Sequence, residues 1–170
     1  MKVLSVQKNS KNCIICGMEN ALGLQAVFHV LDDNSVASVF SFKNEHQSYP
    51  ERTHGGMISS LLDEIMGRAL WINEPTTYGV TTTLSVTFRK PVPIDVKVKA
   101  RGYVTFDSKI GFTAKGEIYS LDGVLLAEAQ AKYLKMSSTR AFGDNFHEDD
   151  QMCYHPKMIF TQIDFPEKKN

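Results

Sequence analysis

What this 170-residue chain lacks narrows the possibilities quickly. It has no excess charge of either sign, because 19 Lys and Arg stand against 19 Asp and Glu. That balance removes a global electrostatic pull toward nucleic acid or a membrane surface and leaves room only for a local basic patch. No apolar run approaches the roughly 20 residues that a membrane-spanning helix needs. The opening MKVLSVQKNSKN has no sustained apolar stretch, so secretion is not expected either. Cysteine is scarce, with three residues, an odd number. A chain of this length can fold without disulfide staples, and the count suits a reducing cytoplasm. Internal repeats and low-complexity tracts are missing as well. What is present, 42% hydrophobic and 22% charged residues, fits one globular domain with a real core.

Alternation and turn residues then divide the chain. From Gln25, AVFHVL, the turn DDNS and VASVFSF read as a β-hairpin, with Asp32, Asp33 and Asn34 at the turn. A polar loop, KNEHQSYPERT, leads to THGGMISSLLDEIMGRALW. There Met57, Ile58, Leu61, Leu62, Ile65, Ala69 and Ile72 recur at three, four and seven, which predicts a helix over 54–72 with one buried face. Pro75 sets its limit near Asn73. Sheet is expected afterwards: GVTTTLSVTF, then IDVKVKARGYVTF, IGFTAKGEIYS and VLLAEAQAKYLKM. In the second, Val96, Val98, Ala100, Val104 and Phe106 face one way and Lys97, Lys99 and Arg101 the other; in the third, Ile110, Phe112, Ala114 and Ile118 alternate. In the last strand, Ala127, Ala129 and Ala131 line one face, which lets another element approach closely. The chain offers one long helix to do so. The expected class is therefore α+β, an antiparallel sheet curled around that helix over residues 1–136, with 137–170 a polar surface tail.

The helix carries two adjacent carboxylates. At 100° per residue, Asp63 falls on the margin of the apolar stripe, beside Gly56, Ser59, Ser60 and Gly67. Glu64 and Arg68 are four apart, suited to a helical ion pair, and point away from the core. A glycine inside a helix costs about 1 kcal/mol against alanine, so Gly67 implies a packing or access requirement. At the helix start, His54-Gly55-Gly56 presents backbone N–H groups at a positive dipole end with no side chain in the way. Such donors stabilise an oxyanion in acyl transfer, and a carboxylate serves as nucleophile or as base for water. Eight residues separate Gly55 from Asp63, about 12 Å of helix axis. If both serve one site, they come from two copies of the chain, and the motif predicts a dimer.

The stretches HGGMISSLLDEIMGRA and GVTTTLSVTFRKPVP, with the opening NCIICGMENALGL (the Cys-x-x-Cys-Gly segment within 12–24), resemble hotdog-fold thioesterases of the phenylacetate-pathway type. The resemblance spans roughly residues 12 to 136. It implies a hotdog fold and an acyl-CoA thioesterase that uses Asp63 as the catalytic carboxylate, with the Gly55 N–H supplied by the opposite subunit. Thr81 matches the polar strand residue that positions water in the family, and Gln47 the residue before HGG that polarises the carbonyl. His54 would mainly shape the turn. Gly56 and Met57 would line the substrate site, while Arg89 and Lys90 would sit near the coenzyme A phosphates. A solvated strand end would carry the same two cations. Glu64 is the rival to Asp63, and the spacing from HGG favours Asp63.

Met57, Leu61 and Trp71 are the candidates for an acyl pocket. Neither cofactor nor metal is required by this chemistry. Cys13-x-x-Cys16 is half of a tetrahedral zinc site, but only Cys153 and His155 in the tail could complete it and no second pair exists. A thioredoxin-like pair lacks its βαβ setting. His29 reads as an ordinary strand residue. The expected partners are acyl-CoA and a second copy of the chain, as a dimer or a dimer of dimers, with no nucleic acid and no membrane. The alternatives are a non-catalytic acyl-CoA or acyl-carrier-protein binding module and a hydratase or dehydratase.

Overall fold

The structure, a computed structural model, describes residues 1–143 and 152–166. Its elements run β1 (Val3–Val6), β2 (His29–Leu31), β3 (Val36–Ser41), α1 (Gly55–Ala69), β4 (Tyr78–Phe88), β5 (Lys97–Asp107), β6 (Gly111–Ser120), β7 (Leu125–Met136) and the short α2 (Ser138–Phe142). Short 3-10 turns, Asn44–His46 and Leu70–Ile72, precede and extend α1. The strands form one antiparallel sheet in the order β1-β2-β3-β5-β6-β7-β4. Strand β4 follows α1 in sequence yet lies at the far edge beside β7, so the sheet wraps the helix rather than stacking beside it. This is the hotdog fold.

The sheet reaches the helix closely because small residues clear the way. Ala100, Ala114, Ala127, Ala129 and Ala131 are all buried. At Gly102 a Cβ would lie 2.5 Å from the Ile65 carbonyl oxygen, so only glycine lets β5 pass there. Leu61, Leu62, Ile65 and Met66 are fully buried on the facing stripe of α1. Each such side chain contributes about 1.5–3 kcal/mol by leaving water, and this burial holds a 15-residue helix that would be marginal alone.

The hairpin expected from Gln25 forms with shorter strands, turning at Asn34, whose φ of 60° suits asparagine. Arg101 faces away from Val98 and Ala100, and on that side it is fully buried, paired with Glu117 at 2.7 Å and packed against the Phe165 ring. Two expectations need correction. Val96, which precedes β5, and Phe106 do not join the inner face; they are 52% and 63% exposed. A register shift between Val104 and Phe106 breaks the alternation there. Ile110 lies in the β5–β6 turn and is also exposed, while Phe112, Ala114 and Ile118 are buried as expected.

The chain after Met136 is more than a surface tail. Backbone hydrogen bonds join Val3 N–H to Thr161, Ile163 N–H to Met1, and Asn9 to Tyr154 in both directions. Ile163 completes a second small core with Val3, Leu31 and Ala37 on the outer side of the sheet, flanked by Phe160 and Phe165. The HEDDQ stretch of the expected tail lies outside the described residues. Among the described residues, no helix is long and apolar enough to cross a membrane.

Candidate active site

The turn before α1 is pinned from three sides. Thr53 N–H donates to the Val92 carbonyl, His54 N–H to the His46 carbonyl, and His46 itself is buried with Nε2 2.7 Å from the Leu22 carbonyl oxygen. His54 then caps the helix, its Nδ1 accepting the Gly56 N–H at 2.9 Å. The imidazole therefore shapes the turn, and Gly56 is not a free donor. Gly55 is the first helical residue, so its N–H has no acceptor within the helix. Beside it runs a cleft of about 430 Å³ lined by Tyr49, Arg52, Gly55, Phe88, Arg89 and Lys90 among others.

Asp63 sits at the opposite end of the motif, partly exposed. Its Oδ1 accepts hydrogen bonds from Thr81 Oγ1 at 2.9 Å and from Tyr133 OH at 3.1 Å. Tyr133 also lies 3.0 Å from the Asp63 carbonyl oxygen. Thr81 and Tyr133 are directly paired across β4 and β7, so the two hydroxyls stand side by side on the sheet. A bulge follows at once, between Thr81 and Thr83. Among the described residues no hydrogen bond engages Oδ2. Burial and the neighbouring Asp63 carboxylate push the Tyr133 hydroxyl well above the usual tyrosine range, so it remains a donor. Phe112 stacks on its ring, 4.5 Å between centroids and 7° from parallel, which fixes the hydroxyl's direction.

Tyr133 was missed by the sequence reading, although a signal existed. The alternation that turns Ala127, Ala129 and Ala131 inward also turns Tyr133 inward. Gly67 faces it: a Cβ there would meet only the Tyr133 ring, at an ordinary 3.8 Å.

Glu64, the neighbouring acid, is turned to other partners. It receives the Arg68 Nε at 2.8 Å, and Arg68 is not directed away from the core: only 2% exposed, its guanidinium lies over the Phe28 ring and near Trp71, and donates to the Lys8 carbonyl. Burial raises the Glu64 carboxyl to about 7 despite the cation beside it. Cys13 and Cys16 lie on this side too, with the Cys13 thiol lowered to about 6 by the Cys16 hydrogen bond and Cys16 raised to about 12. Cys153 and His155 are exposed and do not belong to that cluster.

The remaining expected residues are dispersed. Gln47 is exposed and accepts the Glu51 N–H at 3.2 Å. Arg89 donates to Glu128 at 2.8 Å, and Lys90 is exposed. Met57 packs half-buried on the core, Leu61 is inside it, and Trp71 lines a separate cleft of about 400 Å³ with Val30, Ile72, Tyr78 and Met152.

Comparison with known proteins agrees with this architecture. Residues 52–127, which hold α1, β4 to β6 and the start of β7, match the family model described as thioesterase superfamily. Among solved structures, a thioesterase superfamily protein superposes with a TM-score of 0.67 at 27% identity, over 72% of this chain and 63% of that one. A phenylacetic acid degradation-related protein from Ralstonia eutropha JMP134 gives 0.59 at 21% identity, over 65% and 85%. A Bacillus halodurans protein solved with CoA gives 0.58 at 20% identity, over 65% and 74%. This chain thus spans less than two thirds of the first of these proteins. No curated protein matches it. By sequence over 52–127 the chain is similar to the thioesterase superfamily, and by fold over about two thirds of its length it is similar to the solved hotdog structures named above.

Proposed function

We propose that this protein hydrolyses acyl-CoA thioesters, in the cytoplasm, at a site shared between two copies of the chain. The observation that carries this reading is Asp63, with Oδ1 held by Thr81 and Tyr133 and Oδ2 left for water or substrate. Asp63 acts as base, taking the proton of a water that attacks the thioester carbonyl, or attacks that carbonyl itself. The oxyanion formed is met by the Gly55 N–H of the second copy, because about 12 Å of helix separates Gly55 from Asp63 within one chain. Collapse of the tetrahedral species expels the thiolate of CoA, which takes the proton held by Asp63. Where Asp63 is itself the nucleophile, water then cleaves the acyl–Asp63 anhydride and frees the acid. His54 holds the turn, and Thr81 and Tyr133 hold the carboxylate.

Two features support the pairing and the substrate. Strand β4 is an 11-residue edge with Val80, Thr81, Thr83, Ser85 and Phe88 exposed, a surface that an isolated chain would leave open to association. The cleft at Gly55 carries Arg52, Arg89 and Lys90, cations suited to the phosphates of CoA. Gly56 and Met57 would border the acyl group, and Gln47 would approach the carbonyl only from the loop of the second copy. The thioesterase-superfamily match and the CoA-bound Bacillus halodurans neighbour point the same way.

The test combines thiol release from a panel of aliphatic and aromatic acyl-CoAs with a mixing experiment. Proline suits the first helical position, and His54 already has the extended ψ of 133° that a following proline prefers. A Cβ at Gly55 would meet only the tip of exposed Phe88. Gly55→Pro therefore removes the N–H without breaking the helix, and costs about 10²–10³ in kcat. Asp63→Asn and Gly55→Pro chains are each inactive alone. Mixed at random, they regain about a quarter of wild-type activity, since half the dimers keep one intact site. No recovery places both groups in one chain. Tight acyl-CoA binding with no turnover makes the protein a binding module instead.

A further inference from the structure

On the side of α1 away from Thr81, the N-terminal segment brings a second constellation against the helix. The Sγ atoms of Cys13 and Cys16 and a carboxylate oxygen of Glu64 all lie within 4.8 Å of one another. The two cysteines sit on a tight turn closed by the Gly17 N–H to the Cys13 carbonyl at 2.8 Å, and the Ile15 N–H donates to Cys13 Sγ at 3.3 Å. Such N–H···S bonds stabilise a sulfur carrying negative charge. A Cβ at Gly17 would lie 2.4 Å from the Cys13 carbonyl oxygen, so the turn requires glycine after the second cysteine. Ser10 Oγ and Cys16 Sγ share a hydrogen bond at 3.1 Å. Glu64 is oriented by Arg68, itself locked in the core.

We propose that Cys13, Cys16 and Glu64 bind one zinc ion, with water as the fourth ligand. Bond lengths of about 2.3 Å to sulfur and 2.0–2.2 Å to oxygen place tetrahedral ligand atoms about 3.5–3.8 Å apart. The three groups already lie within 4.8 Å, so small side-chain movements close the site. Charge favours it as well. Two thiolates and a carboxylate carry three negative charges, which zinc and the buried Arg68 cation neutralise together. Thiolate ligands select zinc over magnesium or calcium, which prefer all-oxygen sites. The ion would clasp the N-terminal segment to α1 at the residue next to Asp63, and its binding energy would add to folding. Neither the hydrolytic scheme above nor its test depends on this site.

The experiment uses the full chain, purified under reducing conditions. One zinc per chain is expected, exchangeable for cobalt with the appearance of thiolate-to-cobalt charge-transfer absorption. Cys16→Ser lowers that absorption by about half or more, since one of two thiolates is lost, Glu64→Gln weakens zinc binding by about tenfold or more, and Cys153→Ser changes neither. Absence of stoichiometric zinc from the reduced protein, cobalt binding without a thiolate band, or a band unchanged in Cys16→Ser would each overturn the proposal. Should Cys16→Ser fail to fold, the wild type decides: zinc must shield Cys13, the accessible thiol of the pair, from iodoacetamide and leave Cys153 reactive. Equal labelling of Cys13 with and without zinc overturns it, as does a Cys13–Cys16 disulfide whose reduction yields no zinc binding.

Discussion

Asp63 and Glu64 are adjacent and chemically alike, yet they serve different faces of one helix. Asp63 meets two hydroxyls that come from the sheet edge and keeps one oxygen open. Glu64, 26% exposed, meets a cation that the core has enclosed between Phe28 and Trp71. A carboxylate with neutral donors and free access can take a proton or attack a carbonyl. One bound to a buried guanidinium is committed to structure, because leaving it would strand a charge in the core. The contrast teaches that partners, not residue type or position along the motif, divide the work.

Substitutions can break or sharpen that contrast. The largest effect is expected from Asp63→Asn, which should lower kcat/KM for acyl-CoA by about 10²–10⁴. Thermal denaturation should move little, since Tyr133 keeps the Asp63 carbonyl as an acceptor. Arg68→Ala should show the reverse pattern. Leaving Glu64 without its partner should cost about 3–5 kcal/mol of stability, read by urea unfolding, while the Thr81–Asp63–Tyr133 contacts remain available. Loss of activity at unchanged stability in Arg68→Ala would invert the assignment of the two sides.

Smaller changes test the Asp63 side alone. Tyr133→Phe removes a hydrogen bond to a charged acceptor, worth about 1.5–3 kcal/mol, and should lower kcat/KM about 10- to 100-fold. Phe112 stacking keeps the ring in place, so the fold should survive. Thr81→Val preserves shape and removes a more exposed donor, with a loss of about tenfold or less expected in the same assay. Rates unchanged in both variants would show that the hydroxyls only pack beside Asp63 and do not position it.

Much of this architecture was legible in the chain because it rests on local periodicity. The 3.6-residue stripe from Ile58 to Ala69 could only be a half-buried helix, and the row Ala127, Ala129, Ala131 could only mark a close approach. Charged residues misled wherever a partner arrived from far along the chain. Arg101 looks no different from Lys97 and Lys99 until Glu117, sixteen residues on, and Phe165 enclose it. Arg68 looks solvated until Phe28 and the Lys8 carbonyl cover it. The polar appearance of the C-terminal segment likewise hid Ile163, which needs Val3 and Leu31 to be buried at all. No window of the sequence contains these pairs.

By itself, the sequence determined the helix, the glycines at its start, and the eight-residue spacing from Gly55 to Asp63. Helical rise is a local property, so the separation of the two groups follows from counting. Only the tertiary structure decided which acid meets hydroxyls and which meets a cation, that Tyr133 joins Thr81 on Asp63, and that two cysteines come to rest against Glu64. Those outcomes depend on how strands pair and which segments close over the helix, and strand register is set by contacts between residues tens of positions apart.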